Sequence, residues 1–225
     1  MLPLVVILIG GDFLVKDYFN NTYCRCTLHD YFWDEASQRV AAGNIYERSH
    51  RGEEANEVGF LGEVVAEKWF QRHDIHFKDM RTKTTHDYLL FGSSTIDVKT
   101  KDRTVLPRID YDNSVPLYNH DHQRPDYYLF ISLVRDKSIP VSDIRRYRTA
   151  CIVGGIDIET LDFIGKDWEA GETDARNGTK FWTACRNIEM SQLIPTKEIV
   201  RLWKKDNTME DTHPTIRNTK NPSHK

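Results

Sequence analysis

The spacing of apolar residues changes near His73, and this change limits the folds that the chain can adopt. Over residues 53–71 the apolar positions recur at helical spacing and form one stripe. The stripe consists of Val58, Leu61, Val65 and Trp69. After His73 the pattern becomes that of short strands. A long amphipathic helix followed by strand-like segments predicts an α/β domain.

Several short segments with strand-like pattern follow that helix. Residues 75–80, 88–91 and 95–101 are the first three. The Gly-Ser-Ser turn at residues 92–94 predicts that the second and third segments pair as a hairpin. Two further apolar runs, typical of buried strands, cover residues 127–134 and 150–153.

The expected architecture is a central mixed sheet with the long helix packed on one face. Residues 102–124 show no sustained period, so we expect a long irregular segment there, with room for one short helix. A β-rich lobe over 157–190 and a helix over 196–205 complete the domain. The chain then divides into an N-terminal extension packed on the core at 1–50, a domain at 51–205 and a flexible tail at 206–225.

The charge balance excludes several classes of protein. The 31 basic and 34 acidic residues leave a net charge of −3, which excludes a globally basic coat for nucleic acid but allows a basic cleft. No apolar run approaches the ~20 residues of a membrane-spanning helix, so no membrane partner is expected. The apolar run at residues 2–9 lacks the positive segment of a signal peptide, so we expect a strand or a loosely attached start.

The four cysteines are too few for a scaffold built on disulfides at this length. Their number favours a reducing compartment. Cys24 and Cys26 lie near His29, but their spacing does not match the usual zinc knuckle, and no second pair follows at a suitable distance. Buried thiols are therefore expected in place of zinc ligands.

Three acidic residues and one lysine fall, in order, on three of the predicted elements. Glu63 flanks the apolar stripe of the long helix, and Asp87 stands at the start of the second strand. Asp97 and Lys99 lie on the third strand, where the period of two places them on one face about 7 Å apart. The predicted hairpin brings Asp87 close to that pair. By the same helical arithmetic Glu67 is expected to point to solvent.

This set of side chains is suited to the hydrolysis of phosphodiesters. Carboxylate oxygens favour Mg²⁺ or Mn²⁺, and such a cation stabilises charge on phosphate and activates water. A lysine beside the cation orients the water or offsets phosphate charge, and a low-dielectric site can depress its pKa.

The order Glu, Asp, Asp-x-Lys resembles the PD-(D/E)XK nuclease superfamily of phages and bacteria, which has a restriction-endonuclease-like fold. The similarity runs from residues 59–63 through His86-Asp87 to residues 96–99, and the segment at 125–128 also fits. The resemblance implies a restriction-endonuclease-like core and a metal-dependent nuclease that cleaves DNA. It implies that Mg²⁺ or Mn²⁺ is held by Glu63, Asp87 and Asp97, and that the attacking water is served by Lys99.

The chain departs from the family pattern in two places. His86 stands where the family name has proline, and the helix that usually follows the catalytic hairpin is poorly marked in residues 102–124. Gln123 is a candidate for a polar residue that some members add there. Basic residues near the site are candidates for contacts with DNA phosphates, or for a solvated edge that prevents strand pairing. They are Arg81, Lys83, Lys101 and Arg103.

Two alternatives to a DNA nuclease stay open. The first is a nucleic-acid-binding module of the same fold without catalytic turnover. The second is a nuclease for RNA or branched junctions, because the four residues select neither the sugar nor internal over terminal attack. A homodimer would favour paired cuts in duplex DNA, and a monomer would favour nicking or end processing. The resemblance implies a cytoplasmic location in a bacterium or a phage-infected host cell.

Overall fold

The structure is a computed structural model that describes residues 23–42, 53–81, 85–117 and 124–210. The apolar start at residues 2–9, the tail beyond residue 210, and the two candidates Lys83 and Gln123 lie outside these ranges.

The described residues form four helices and nine strands in a mixed α/β arrangement. The helices are α1 (Asp30–Ala41), α2 (Glu53–Arg72), α3 (Ile158–Ile164) and α4 (Thr196–Glu210). The first strands are β1 (Cys24–Thr27), β2 (Phe77–Asp79), β3 (Tyr88–Leu90), β4 (Ser94–Arg103) and β5 (Asp112–Pro116). The remaining strands are β6 (Tyr127–Arg135), β7 (Tyr147–Asp157), β8 (Lys166–Trp168) and β9 (Cys185–Glu189). None of the helices in the described ranges has the length and apolar character needed to cross a membrane.

A six-stranded mixed sheet forms the centre of the molecule, in the order β1-β7-β6-β4-β3-β2. The predicted hairpin is confirmed, because β3 and β4 pair antiparallel with Tyr88 opposite Ile96. Strand β6 pairs with β4 in parallel. A parallel neighbour needs a crossover connection, and residues 104–126 supply it.

Helix α2 packs on one face of this sheet through its apolar stripe, as predicted. Leu61, Val65 and Trp69 are buried in a core that also includes Ile96 and Val98 of β4. The helix approaches the strand closely at one point. A Cβ atom on Gly62 would lie 1.9 Å from the Oγ1 of Thr100, so only glycine fits this contact without a shift of the neighbouring groups.

A second core lies on the opposite face of the sheet. It is formed by Tyr128 and Phe130 of β6 together with Val115, Ile188 and Leu193. Val115 and Ile188 belong to a separate three-stranded sheet, in the order β5-β9-β8. The molecule therefore has α1, α2 and α4 on one side of the central sheet, and the small sheet together with α3 on the other.

The structure corrects two predictions about the second half of the chain. Residues 102–124 were expected to be irregular, but strand β5 lies within them and pairs with β9. Local pattern does not indicate this strand because its Asp, Asn, Ser and Pro residues are depleted in strands. Helix α4 continues to Glu210, past the predicted end at residue 205. The expected tail therefore begins with helical residues.

Candidate active site

Asp87, Asp97 and Lys99 come together beside the central sheet, and Glu63 of the long helix is close enough to Asp87 to interact with its charge. Glu63 lies on α2, Asp87 stands immediately before β3, and the Asp-x-Lys pair lies on β4. The carboxyl group of Asp87 interacts electrostatically with Asp97, Glu63 and Lys99. Glu63 and Asp87, which are far apart in the sequence, are thus neighbours in the fold.

Asp97 and Lys99 form the centre of this group. Asp97 is buried, with 4% of its surface exposed. The Nζ of Lys99 donates to the Oδ2 of Asp97 at 2.9 Å. Burial acts to lower the pKa of Lys99, but Asp97 and Asp87 outweigh it and leave the pKa above its usual value. The lowering by a low-dielectric site that the sequence suggested is therefore present but outweighed, and Lys99 is an ammonium at neutral pH in the cation-free protein.

Asp87 is held firmly by its backbone and its side chain. Its N–H donates to the carbonyl of Ile96 at 2.9 Å, and its carbonyl accepts from Met80 at 2.8 Å. Its Oδ2 accepts from the backbone N–H of Val98 at 2.7 Å. Burial, and then the charges of Asp97 and Glu63, raise the pKa of Asp87 well above its usual value, and Lys99 offsets them only in part.

Glu63 is the third carboxylate, and an arginine binds it. The side chain of Glu63 is 13% exposed. Its Oε2 accepts from a terminal nitrogen of Arg81 at 2.7 Å. Burial raises the pKa of Glu63 to about 7, against the lowering effect of Arg81. At neutral pH this carboxyl group is therefore poised between its two protonation states.

Glu67 follows Glu63 by one turn on helix α2, and the sequence predicted the wrong environment for it. Glu67 was expected to face solvent, but its two oxygens accept from Arg39 at 2.9 and 2.8 Å. The hydroxyl of Tyr88 also donates to Glu67, at 2.8 Å. Helix α1 packs on this side of α2 and covers the position. Helical spacing gives the direction of a side chain but not which neighbour covers it.

Lys101 and Arg103, two of the three described candidates for phosphate contacts, point toward strand β5. The Nζ of Lys101 donates to the carbonyl of Asp112 at 3.0 Å. Arg103 donates to the same carbonyl at 2.9 Å and to the Oγ of Ser132 at 2.8 Å. Both cations therefore join β4 to the small sheet. A role in phosphate binding stays a prediction for them, and it would compete with these contacts.

Tyr128 is a site residue that the sequence did not single out. It lies opposite Asp97 in the parallel register of β4 and β6. The Nζ of Lys99 is 5.8 Å from the centre of its ring. Burial and the charge of Asp97 raise the pKa of Tyr128, so its hydroxyl stays protonated near neutral pH. A signal existed in the sequence, because the next apolar run after the Asp-x-Lys segment is aromatic and begins with Tyr127 and Tyr128.

The donor chemistry of this group suits a hard divalent cation. Carboxylate oxygens are the preferred ligands of Mg²⁺, which often takes only one or two of them and keeps several waters. Two of the three carboxyl groups have raised pKa values, so the site holds more negative charge than its buried surroundings favour. Within the described ranges, however, no three His, Cys, Asp or Glu side chains form a ready-made metal cluster.

Comparisons of the chain with family models, with curated proteins and with solved structures find no match. The interpretation of the site therefore depends on its geometry and chemistry.

Proposed function

We propose that the protein is a Mg²⁺-dependent nuclease that hydrolyses phosphodiester bonds in DNA. One observation carries the proposal: Asp87 interacts with Asp97, Glu63 and Lys99, although these residues come from separate elements. Acidic side chains with an ammonium beside them, held at one partly buried place, are the groups that phosphodiester hydrolysis needs.

The side chains have distinct roles in this proposal. Asp87 and Asp97 are the principal ligands of Mg²⁺ or Mn²⁺, and Glu63 supplies a further oxygen. When bound, the cation stabilises charge on the phosphate and lowers the pKa of a coordinated water. Lys99 is charged in the cation-free protein, and we expect it to orient the attacking water or to face a phosphate oxygen.

The order of the elements supports the same proposal. Helix α2 with Glu63 precedes the hairpin that carries Asp87, Asp97 and Lys99, and β6 then adds in parallel to β4. This is the order of motifs on which the resemblance to PD-(D/E)XK nucleases depends. The described part of the crossover contains β5 and no helix of α type, which is a departure from the usual family pattern.

The net charge of −3 requires that DNA binding be local. Since Lys101 and Arg103 already have partners inside the protein, we expect the cation itself to supply much of the positive potential at the scissile phosphate.

A cleavage assay tests the proposal. Supercoiled plasmid is incubated with the protein in Mg²⁺, in Mn²⁺ and in EDTA, and nicked and linear forms are measured over time. We expect cation-dependent cleavage that falls by at least about 100-fold in Lys99→Ala and in Asp97→Asn, because each removes a group that acts on the reacting phosphate. Glu35→Gln is the control, since Glu35 binds Arg39 on α1 and lies outside the proposed site.

Equal amounts of nicked and linear plasmid with Mg²⁺ and with EDTA would contradict the proposal of a cation-dependent nuclease. Binding of labelled DNA without cleavage of any substrate would identify the non-catalytic module. Cleavage confined to RNA or to four-way junctions in a parallel panel would keep the chemistry and change the substrate class.

A further inference from the structure

Arg81 connects Glu63 to the edge of the sheet. It follows strand β2 and uses one terminal nitrogen to donate to the Oε2 of Glu63 at 2.7 Å. Its Nε donates to the Oδ1 of Asp79 at 2.9 Å, and its other terminal nitrogen donates to the second oxygen of the same carboxylate. The guanidinium is therefore fixed by a two-point contact on one side while it binds Glu63 on the other.

Further contacts limit the movement of this guanidinium. Its second terminal nitrogen lies 3.7 Å from Glu67. Its central carbon is 5.9 Å from the centre of the Tyr88 ring. The side chain is only 17% exposed. A planar group held on three sides presents its remaining partner, Glu63, with one defined orientation.

The contact leaves the other oxygen of Glu63 available. Oε2 is taken by Arg81, whereas Oε1 makes no hydrogen bond to any residue in the described ranges. A carboxylate that is bound through one oxygen has the other directed away from its partner. Ligating carboxylates in metal sites are commonly held in this way by outer hydrogen bonds.

We infer that Arg81 is a positioning residue that orients Glu63 so that its free oxygen serves the divalent cation. The inference depends on the proposed function, and it deepens that function by adding a residue that acts through Glu63. It also replaces the earlier hypothesis that Arg81 contacts a DNA phosphate, because all three of its nitrogens already have carboxylate partners.

The effect of Arg81 is measurable on cation affinity without any turnover. Loss of an outer partner of a metal ligand typically weakens metal binding by about 10–100-fold. Arg81→Gln removes both the positive charge and the planar guanidinium that contacts Asp79 at two points. Arg81→Lys keeps the charge but cannot contact Asp79 at two points and Glu63 at the same time. We expect both variants to bind Mn²⁺ at least tenfold more weakly than the wild type.

The experiment is titration of Mn²⁺ into the full chain by calorimetry at pH 8, with circular dichroism of each variant as a check of folding. Asp79→Asn is a milder variant, because it loosens the anchor of Arg81 at a half-exposed position, and we expect a smaller weakening in the same direction. Arg176→Gln is the matched control, since Arg176 binds carboxylates of the small sheet. The affinity of this variant for Mn²⁺ should equal that of the wild type.

The outcomes separate this inference from the function on which it depends. A wild type that binds no Mn²⁺ overturns the metal site itself and the inference with it. Wild-type binding with equal affinity in Arg81→Gln overturns the inference alone. Full affinity in Arg81→Lys would show that charge is enough, and would overturn the orienting role. Unchanged Mn²⁺ affinity together with weaker DNA binding in Ca²⁺ would overturn the inference and would support a contact between Arg81 and a DNA phosphate.

Discussion

Burial makes Glu63 hold a proton at higher pH in the folded chain than it would in the unfolded chain. Its pKa rises from the ordinary value of 4.5 to about 7. Between these values the folded state binds more protons than the unfolded state. Stability of the cation-free protein is therefore greatest below pH 4.5 as far as Glu63 is concerned, and it falls as the pH rises toward 7. The full shift corresponds to at most about 3 kcal/mol.

Glu63→Gln tests this assignment. Glutamine cannot ionise, so the variant lacks the loss of stability that accompanies ionisation of Glu63. Its melting temperature should therefore change less between pH 5 and pH 8 than that of the wild type. Thermal unfolding in EDTA measures both slopes. Glu198→Gln is the control, because Glu198 is an exposed glutamate on α4. Parallel curves for the wild type and Glu63→Gln would show that Glu63 titrates normally.

At the scale of single residues, the sequence predicted that Asp87, Asp97 and Lys99 lie together, but it did not predict the partners of the glutamates on α2. Period two on β4 and the turn at 92–94 were enough to bring Asp87, Asp97 and Lys99 together. The partners of Glu63 and Glu67 could not be predicted, because Arg81 and Arg39 reach them through packing of separate elements. Long-range ion pairs leave no periodic signal in the chain.

At the scale of elements, the distance between α2 and β4 decides where Glu63 lies. Gly62 provides the close contact, since a Cβ there would overlap Thr100. Gly59 lies one turn earlier on the same helix, and a Cβ at that position meets nothing within 4 Å. The two glycines therefore differ in packing, although both carry the same conformational cost in a helix.

Alanine at these two glycines should change stability in opposite directions. Gly62→Ala forces the helix from the strand and is expected to lower the free energy of unfolding by about 1–3 kcal/mol. Gly59→Ala only improves helix propensity and should raise it by about 0.5–1 kcal/mol. Urea denaturation followed by circular dichroism measures both. Equal effects of the two substitutions would contradict the close approach of α2 to β4.

The sequence predicted α2 and the β3–β4 hairpin because each has its own hydrophobic period. It did not predict β5, which depends on pairing with β9 far along the chain and on contacts from Lys101 and Arg103 to the carbonyl of Asp112. Within the residues 157–190 that were expected to form a β-rich lobe lie the two short strands β8 and β9, but also helix α3, which the sequence did not predict because it is short and begins at an Asp157 cap. Elements that depend on tertiary partners are the ones that local pattern misses.

At the scale of the whole molecule, the central sheet has apolar layers on both faces, and the charged site interrupts this otherwise apolar arrangement. Helices α1, α2 and α4 cover one face, and the small sheet with α3 covers the other. The α/β class and the position of the long helix followed from the sequence, whereas the parallel pairing of β4 and β6 depends on a crossover without a clear local signal. Carboxyl groups placed in such a structure oppose folding unless a positive charge accompanies them.

Divalent cations should therefore stabilise the entire fold. A ligand that binds only the folded state at 100 times its dissociation constant adds about 2.7 kcal/mol to the free energy of unfolding. Because metal ligands must be deprotonated and Glu63 has a pKa of about 7, the gain should be larger at pH 8 than at pH 6. Differential scanning calorimetry with Mn²⁺ and with EDTA measures it. Asp97→Asn should lose the gain, whereas Asp110→Asn, at an exposed position, should keep it. An equal melting temperature with and without Mn²⁺ at pH 8 would show that the buried carboxylates bind no cation.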